Sequence, residues 1–231
     1  MARTNSKPLR ILKWAVLLLL VALAIPPLQV ALTIFWNPPY SPMQLQRKFE
    51  GQKNKSISWV PLNQTPVCLV HFIWASEDQD FFNHDGFDMD SMLKAIEAAK
   101  KKGQGVQGAS TISMQCARSV FLWQGRSYVR KALEAYYTIW MELILSKQRI
   151  LELYLNHIEL GPGIYGIGTA AEEYFHQPPA KLTRSQMIAL AAILPNPLEW
   201  SPVKPNSTVQ RKIQRIERLS SNAPFPKDEL K

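Results

Sequence analysis

The chain has 231 residues, 46% of them hydrophobic, with 27 Lys and Arg against 18 Asp and Glu for a formal charge of +9. That composition excludes a disordered or collagen-like chain and suffices for one domain with an apolar core. Two cysteines, Cys68 and Cys116, stand in no C-x-x-C or metal-ligand spacing, which excludes a disulfide framework.

The charge is unevenly placed. Residues 1–13 hold Arg3, Lys7, Arg10 and Lys13 without an acid, a basic tail of +4. From Trp14 to Trp36 there are 23 uncharged residues, and a helix crosses a bilayer core with about 20. The cations before this segment predict a cytoplasmic N-terminus and a domain on the outer side. A cleaved signal peptide is the rival, because Ala22-Leu23-Ala24 fits a cleavage site and Pro26-Pro27 is expected to interrupt a helix. The apolar run continues past that site to Trp36, which favours a retained anchor over residues 14–36.

Residues 37–66 read as a linker with one short helix around Met43–Phe49. From Val67 the pattern is helical almost throughout, giving a domain over 67–222. Asp88 or Asp90 is expected to cap a helix to about Lys102, stopped by Gly103 and Gly105. Ser110 is expected to cap the next, to about Val120. Leu133, Tyr136, Tyr137, Trp140, Leu143 and Ile144 form one apolar stripe between Tyr128 and Leu145. A further helix starts near Ser146 and shows Ile150, Leu151, Tyr154, Leu155 and Ile158 on one face. Thr183-x-x-Gln186 has the form of a capping box before Ile188–Leu194. No alternating strand pattern competes, so the expected fold is mostly α. Residues 223–231 read as a flexible tail.

Two clusters carry chemistry. Glu77, Asp78, Asp80, Asp85, Asp88 and Asp90 put six acids in fourteen residues. An EF-hand with Gly86 at its sixth position fails, because Phe81 and Met92 stand where ligands are needed. A solvated acidic loop is the plain alternative. Against it, Glu77 lies between the apolar stretch Val67–Ala75 and Phe81-Phe82, and a partly desolvated carboxylate is a usable proton acceptor. The second cluster is basic, with residues 91–149 carrying a net +7. Arg118, Arg126, Arg130 and Lys131 flank a short loop, and such cations match the oxygens of a pyrophosphate. Ordinary helix solvation is the alternative, Arg130 and Glu134 being an i, i+4 pair. A membrane anchor argues against nucleic acid as the partner. Gly108-Ala-Ser-Thr-Ile lacks the Walker pattern, which disfavours an NTPase.

These segments together resemble the peptidoglycan glycosyltransferases, family fifty-one. Glu77-Asp-Gln-Asp-Phe-Phe-Asn-His-Asp-Gly86 is similar to E-D-x-x-F-x-x-H-x-G, and Gly108-Ala-Ser-Thr-Ile-Ser-Met-Gln115 to G-x-S-T-I-T-Q-Q. Arg130-Lys-Ala-Leu-Glu134 is similar to R-K-x-x-E. Lys147–Asn156 and Gly163–Ala171 resemble the fourth and fifth motifs, and the likeness spans about residues 65–202 in family order. The short anchored chain resembles the monofunctional biosynthetic members. Ser91-Met-Leu-Lys94 matches a transpeptidase S-x-x-K, but no K-T-G follows it.

The resemblance implies a lysozyme-like α domain with a small membrane-associated jaw, preceded by one transmembrane helix. It implies polymerisation of lipid II with a lipid-linked nascent glycan, by inversion and with release of polyprenyl pyrophosphate. Glu77 would be the general base and Glu134 the second carboxylate, orienting Arg130. Arg118, Arg126, Arg130 and Lys131 would meet the pyrophosphate, and a divalent cation, Mg or Mn, could accompany it. Asp78, Phe81, His84, Ser110, Thr111 and Gln115 match cleft-shaping positions with structural or substrate-binding roles. The implied location is the bacterial inner membrane, with the domain on the periplasmic side and other cell-wall synthesis or division proteins as partners. The family usually has Lys at Arg118 and Gln at Met114. A lysozyme-like lytic glycosidase and a non-catalytic lipid II-binding scaffold remain the alternatives.

Overall fold

A computed structural model describes residues 6–103, 110–125 and 127–230. The first helix, α1 (Ser6–Leu32), contains Leu9–Leu32, a 24-residue stretch of mean hydropathy 2.5. It is long and apolar enough to cross a membrane. The helix ends before Trp36, in a turn at residues 33–35. Contrary to the expected interruption, it runs through Pro26 and Pro27. Proline at 27 removes the N–H that would meet the Leu23 carbonyl. The Tyr136 hydroxyl donates to that carbonyl at 2.8 Å instead.

The short helix α2 (Pro42–Phe49) starts at a capping box of Ser41 and Gln44. The segment after it is bound along the domain surface rather than hanging free. Lys55 N–H donates to the Gly163 carbonyl at 2.8 Å and Ser58 N–H to Thr169 Oγ1 at 2.9 Å. The Asn156 amide grips both backbone groups of Val60. A side chain at Gly163 would strike the Lys53 carbonyl, and its φ of +75° also favours glycine.

Helix α3 (Val67–Glu77) is apolar all round, and Leu69, Val70, Phe72 and Ile73 are at most 1% exposed. Each such side chain contributes about 1.5–3 kcal/mol on burial. Helix α4 (Met89–Lys102) is capped by Asp88, whose carboxylate accepts from Ser91 N–H, and ends at left-handed Gly103. Helix α5 (Ile112–Phe121) is capped by Thr111 rather than Ser110, Thr111 Oγ1 accepting from Met114 N–H. Tertiary contacts decide between the two candidates, because Thr111 also donates to the Gly86 carbonyl while Ser110 Oγ accepts from Lys131. Ser127 caps α6 (Tyr128–Ile144) and Ser146 caps α7 (Lys147–His157).

Strands β1 (Glu159–Gly161) and β2 (Ile164–Tyr165) form an antiparallel hairpin that the sequence pattern did not reveal. Then follow α8 (Ile167–Phe175), α9 (Arg184–Ile193) with the expected Thr183/Gln186 capping box, and α10 (Ser207–Asn222). Helix α5 packs between α6 and α7, α3 packs on α9 and α10, and α1 lies along α6. The terminal segment is docked, not free. Phe225 is buried at 8% exposure against His71, Trp74 and Phe82, and His71 Nε2 lies 3.0 Å from the Ala223 carbonyl. Gln148 Nε2 also donates to the Glu229 carbonyl at 2.7 Å, and Leu230 packs against the core. Cys68 is exposed and Cys116 buried, both unpaired.

Candidate active site

Glu77 ends α3 half-buried, where the chain leaves the core. Gln115 Nε2 donates to its Oε2 at 3.1 Å and Ser76 Oγ to its Oε1 at 3.2 Å. The orientation of the Gln115 amide is set from behind, since the Tyr154 hydroxyl donates to Gln115 Oε1 at 3.1 Å. Burial, and then the neighbouring Glu77 charge, push the Tyr154 phenol well above its ordinary pKa, so it remains a donor at neutral pH. Tyr154, Gln115 and Glu77 therefore form one directed hydrogen-bond chain.

The loop after Glu77 is a packed scaffold. Gly86 N–H donates to His84 Nδ1 at 3.0 Å, which leaves the ring proton on Nε2, 3.0 Å from Asp78 Oδ2. Burial opposes protonation of His84, but the Asp78 hydrogen bond and charge outweigh it and raise the pKa. Asp78 also accepts from Ile112 N–H at 2.9 Å, at the favourable N-terminus of α5. Phe81 is fully buried beside His84. Asp78, Phe81, His84 and Thr111 are thus committed to holding the loop on α5.

Beside Gln115 opens a cleft of about 360 Å³, lined among others by Arg118, Tyr154, Arg47, Glu159 and Asn196. The Arg118 guanidinium makes no hydrogen bond or salt bridge among the described residues. Burial raises the pKa of Glu159 against the opposing charge of Arg47, whose Nε lies 3.5 Å away, and Tyr165 donates to it at 3.2 Å. Neither Arg47 nor Glu159 was singled out from the sequence. Glu159 stands between Ile158 and Leu160, the same apolar flanking that points to Glu77.

Glu134 lies at 0% exposure on α6 and gathers the cations. Arg130 Nη1 meets its Oε2 at 2.5 Å and Lys131 Nζ its Oε1 at 2.6 Å. Lys131 also reaches Ser110 Oγ at 3.3 Å, and Arg130 Nε donates to the Gly125 carbonyl at 2.7 Å. Arg126 lies outside the described residues, as do Gly105 and Gly108. Met114, where the family motif has Gln, is 2% exposed, so the position is interior and suits an apolar side chain. Among the described residues no three His, Cys, Asp or Glu side chains converge to hold a metal, and the Glu134 carboxylate is already taken by two cations.

The family model described as Transglycosylase matches residues 43–220. A biosynthetic peptidoglycan transglycosylase of Caulobacter vibrioides is 43% identical over 203 residues, covering 88% of each chain. One from Aeromonas hydrophila subsp. hydrophila is 44% identical, covering 87% of this chain and 86% of its own. One from Xanthomonas campestris pv. campestris is 40% identical over 94% of this chain and 90% of its own.

Proposed function

Given that the chain belongs to the transglycosylase family and is a glycosyltransferase of peptidoglycan synthesis, we propose that it polymerises lipid II into β-1,4-linked glycan with Glu77 as general base. The observation that carries this reading is the pairing of one half-buried carboxylate, oriented by Gln115, with Arg118, which forms no salt bridge among the described residues, in the adjoining cleft. Glu77 takes the proton from the acceptor sugar's 4-hydroxyl as that oxygen attacks the anomeric carbon of the lipid-linked donor. The new C–O bond forms on the face opposite the departing pyrophosphate, so the donor linkage inverts. The leaving group carries its electron pair away as phosphate charge, which calls for cations rather than a general acid.

Arg118, Arg130, Lys131 and, from its place in the sequence, Arg126 supply that charge. Glu134 holds Arg130 and Lys131 in register and so acts on the donor through them. The anchor helix keeps the domain at the lipid that carries both substrates, with the basic residues 1–13 retaining the N-terminus in the cytoplasm and the domain on the periplasmic face of the inner membrane. The cation cluster disfavours a lytic glycosidase, which cleaves neutral glycan and uses its glutamate as an acid. The test incubates the purified full chain in detergent with labelled lipid II and, separately, with finished sacculi. Polymer from lipid II with intact sacculi is the expected pair of results. Release of soluble fragments from sacculi overturns the synthetic direction.

A further inference from the structure

Behind the loop that follows Glu77 sits a charged group that the mechanism above does not use. Lys147 Nζ lies 2.8 Å from Glu142 Oε1 and 2.5 Å from the His84 carbonyl, and 4.7 Å from the centre of the Phe81 ring. Glu142 Oε1 also accepts from Ser113 Oγ at 2.5 Å. The Glu142 and Lys147 side chains are 8% and 19% exposed.

Stability is a poor explanation for this pair. Taking two charges out of water costs about as much as their attraction returns, and apolar replacements of similar size are often neutral or better. Lys147 is moreover the first residue of α7, where the helix dipole disfavours a cation. What the pair does is join four elements. Ser113 is on α5, Glu142 on α6 and Lys147 on α7, while the His84 carbonyl and Phe81 belong to the loop. Gly86 closes the same contact. Its φ is +90°, and an added Cβ would lie 2.7 Å from Thr138 Cγ2 and 2.9 Å from Glu142 Cγ.

Glu142 lies eight residues beyond Glu134 on α6, about 12 Å along the axis. The cations that meet the leaving group are therefore carried by the helix to which the Glu77 loop is fastened. We propose that Lys147 and Glu142 are positioning residues that set the distance between the Glu77 carboxylate and the Arg130–Lys131 cluster. This rests on the polymerase reading above. Fixing two reacting groups against one another is where a displacement of about 1 Å can cost 10²-fold in rate.

The test compares Lys147→Met, Lys147→Arg and the triple variant Ser113→Ala/Glu142→Leu/Lys147→Met in the full chain, with lipid II as substrate. The triple variant removes the two charges and the hydroxyl together, so that of this group only the His84 carbonyl loses its donor. Its melting temperature is expected to stay within a few degrees of wild type. Lys147→Met and the triple variant are expected to lose about 10–100-fold in kcat with KM changed less than about threefold. Lys147→Arg, which keeps the charge, is expected to recover most of the rate. Amide exchange of residues 78–88 supplies a readout independent of turnover, and faster exchange in the triple variant is expected. A triple variant with wild-type kcat, or a loss confined to KM, overturns the proposal. Wild-type protein silent on lipid II would count against the polymerase reading alone; unchanged protection of residues 78–88 in the triple variant would then still overturn the clamp.

Discussion

His157 ends α7 with 0% exposure, and neither ring nitrogen has a hydrogen-bond partner among the described residues. Its neighbours are the edge of Trp59 at 5.9 Å and the charge of Arg149. Burial first, and then Arg149, lower its pKa from 6.5 to about 4. A histidine held neutral in the folded state binds fewer protons than in the unfolded chain between those two values. Stability is therefore complete above pH 6.5 and declines as the pH falls toward 4. At about 1.36 kcal/mol per unit, the whole interval is worth about 3 kcal/mol, of which about 2 kcal/mol is lost by pH 5. For a domain of this size that lowers the melting temperature by about 4–8 °C. Thermal unfolding of the full chain in detergent at pH 7.5 and pH 5.0, wild type beside His157→Leu, isolates the effect. The other titrating groups, including His71, whose pKa burial also lowers, are common to both proteins. The variant is expected to lose about 4–8 °C less on acidification. Equal pH dependence in the two proteins refutes the reasoning.

Gly86→Ala combines a left-handed backbone with a Cβ inside contact distance of Thr138 and Glu142, and is expected to cost about 2–4 kcal/mol, read as a lowered melting temperature with loss of polymerising activity. Arg130→Ala removes a partner of the fully buried Glu134 carboxylate and, on the proposed mechanism, a cation for the leaving group. Steady-state kinetics should show weaker donor binding and slower chemistry together, because the charge that Arg130 meets grows in the transition state; a change in KM alone would make Arg130 a ground-state contact.

Much of the helical framework was legible because its signals are local. Asp88, Ser146 and the Thr183/Gln186 box each satisfy backbone donors within three residues of themselves, so sequence spacing suffices to find them. Glu77 and the cations of α6 stood out through apolar flanking and charge density. What escaped detection depends on distant partners. Thr111 wins the cap of α5 through Gly86, twenty-five residues away, and the Leu23 carbonyl freed by Pro27 is met by Tyr136 from another helix. The hairpin at Glu159–Tyr165 is too short for an alternating pattern to register. The docking of the terminal segment depends on Phe225 meeting α3 and Phe82, and on Gln148 reaching the Glu229 carbonyl, partners far away in the sequence. Arg47 joins the cleft from a segment whose composition reads as a linker, and that role appears only when the chain folds α2 against α5.

The central claim is that Glu77 is the base of a glycan polymerase, and labelled lipid II in detergent tests it most directly. Glu77→Gln keeps the shape and a hydrogen-bonding group at the position while removing the proton acceptor. Wild type is expected to build polymer, and the variant to fall by about 10²-fold or more while still binding the lipid-linked donor. A Glu77→Gln protein that polymerises lipid II at close to the wild-type rate would contradict the account.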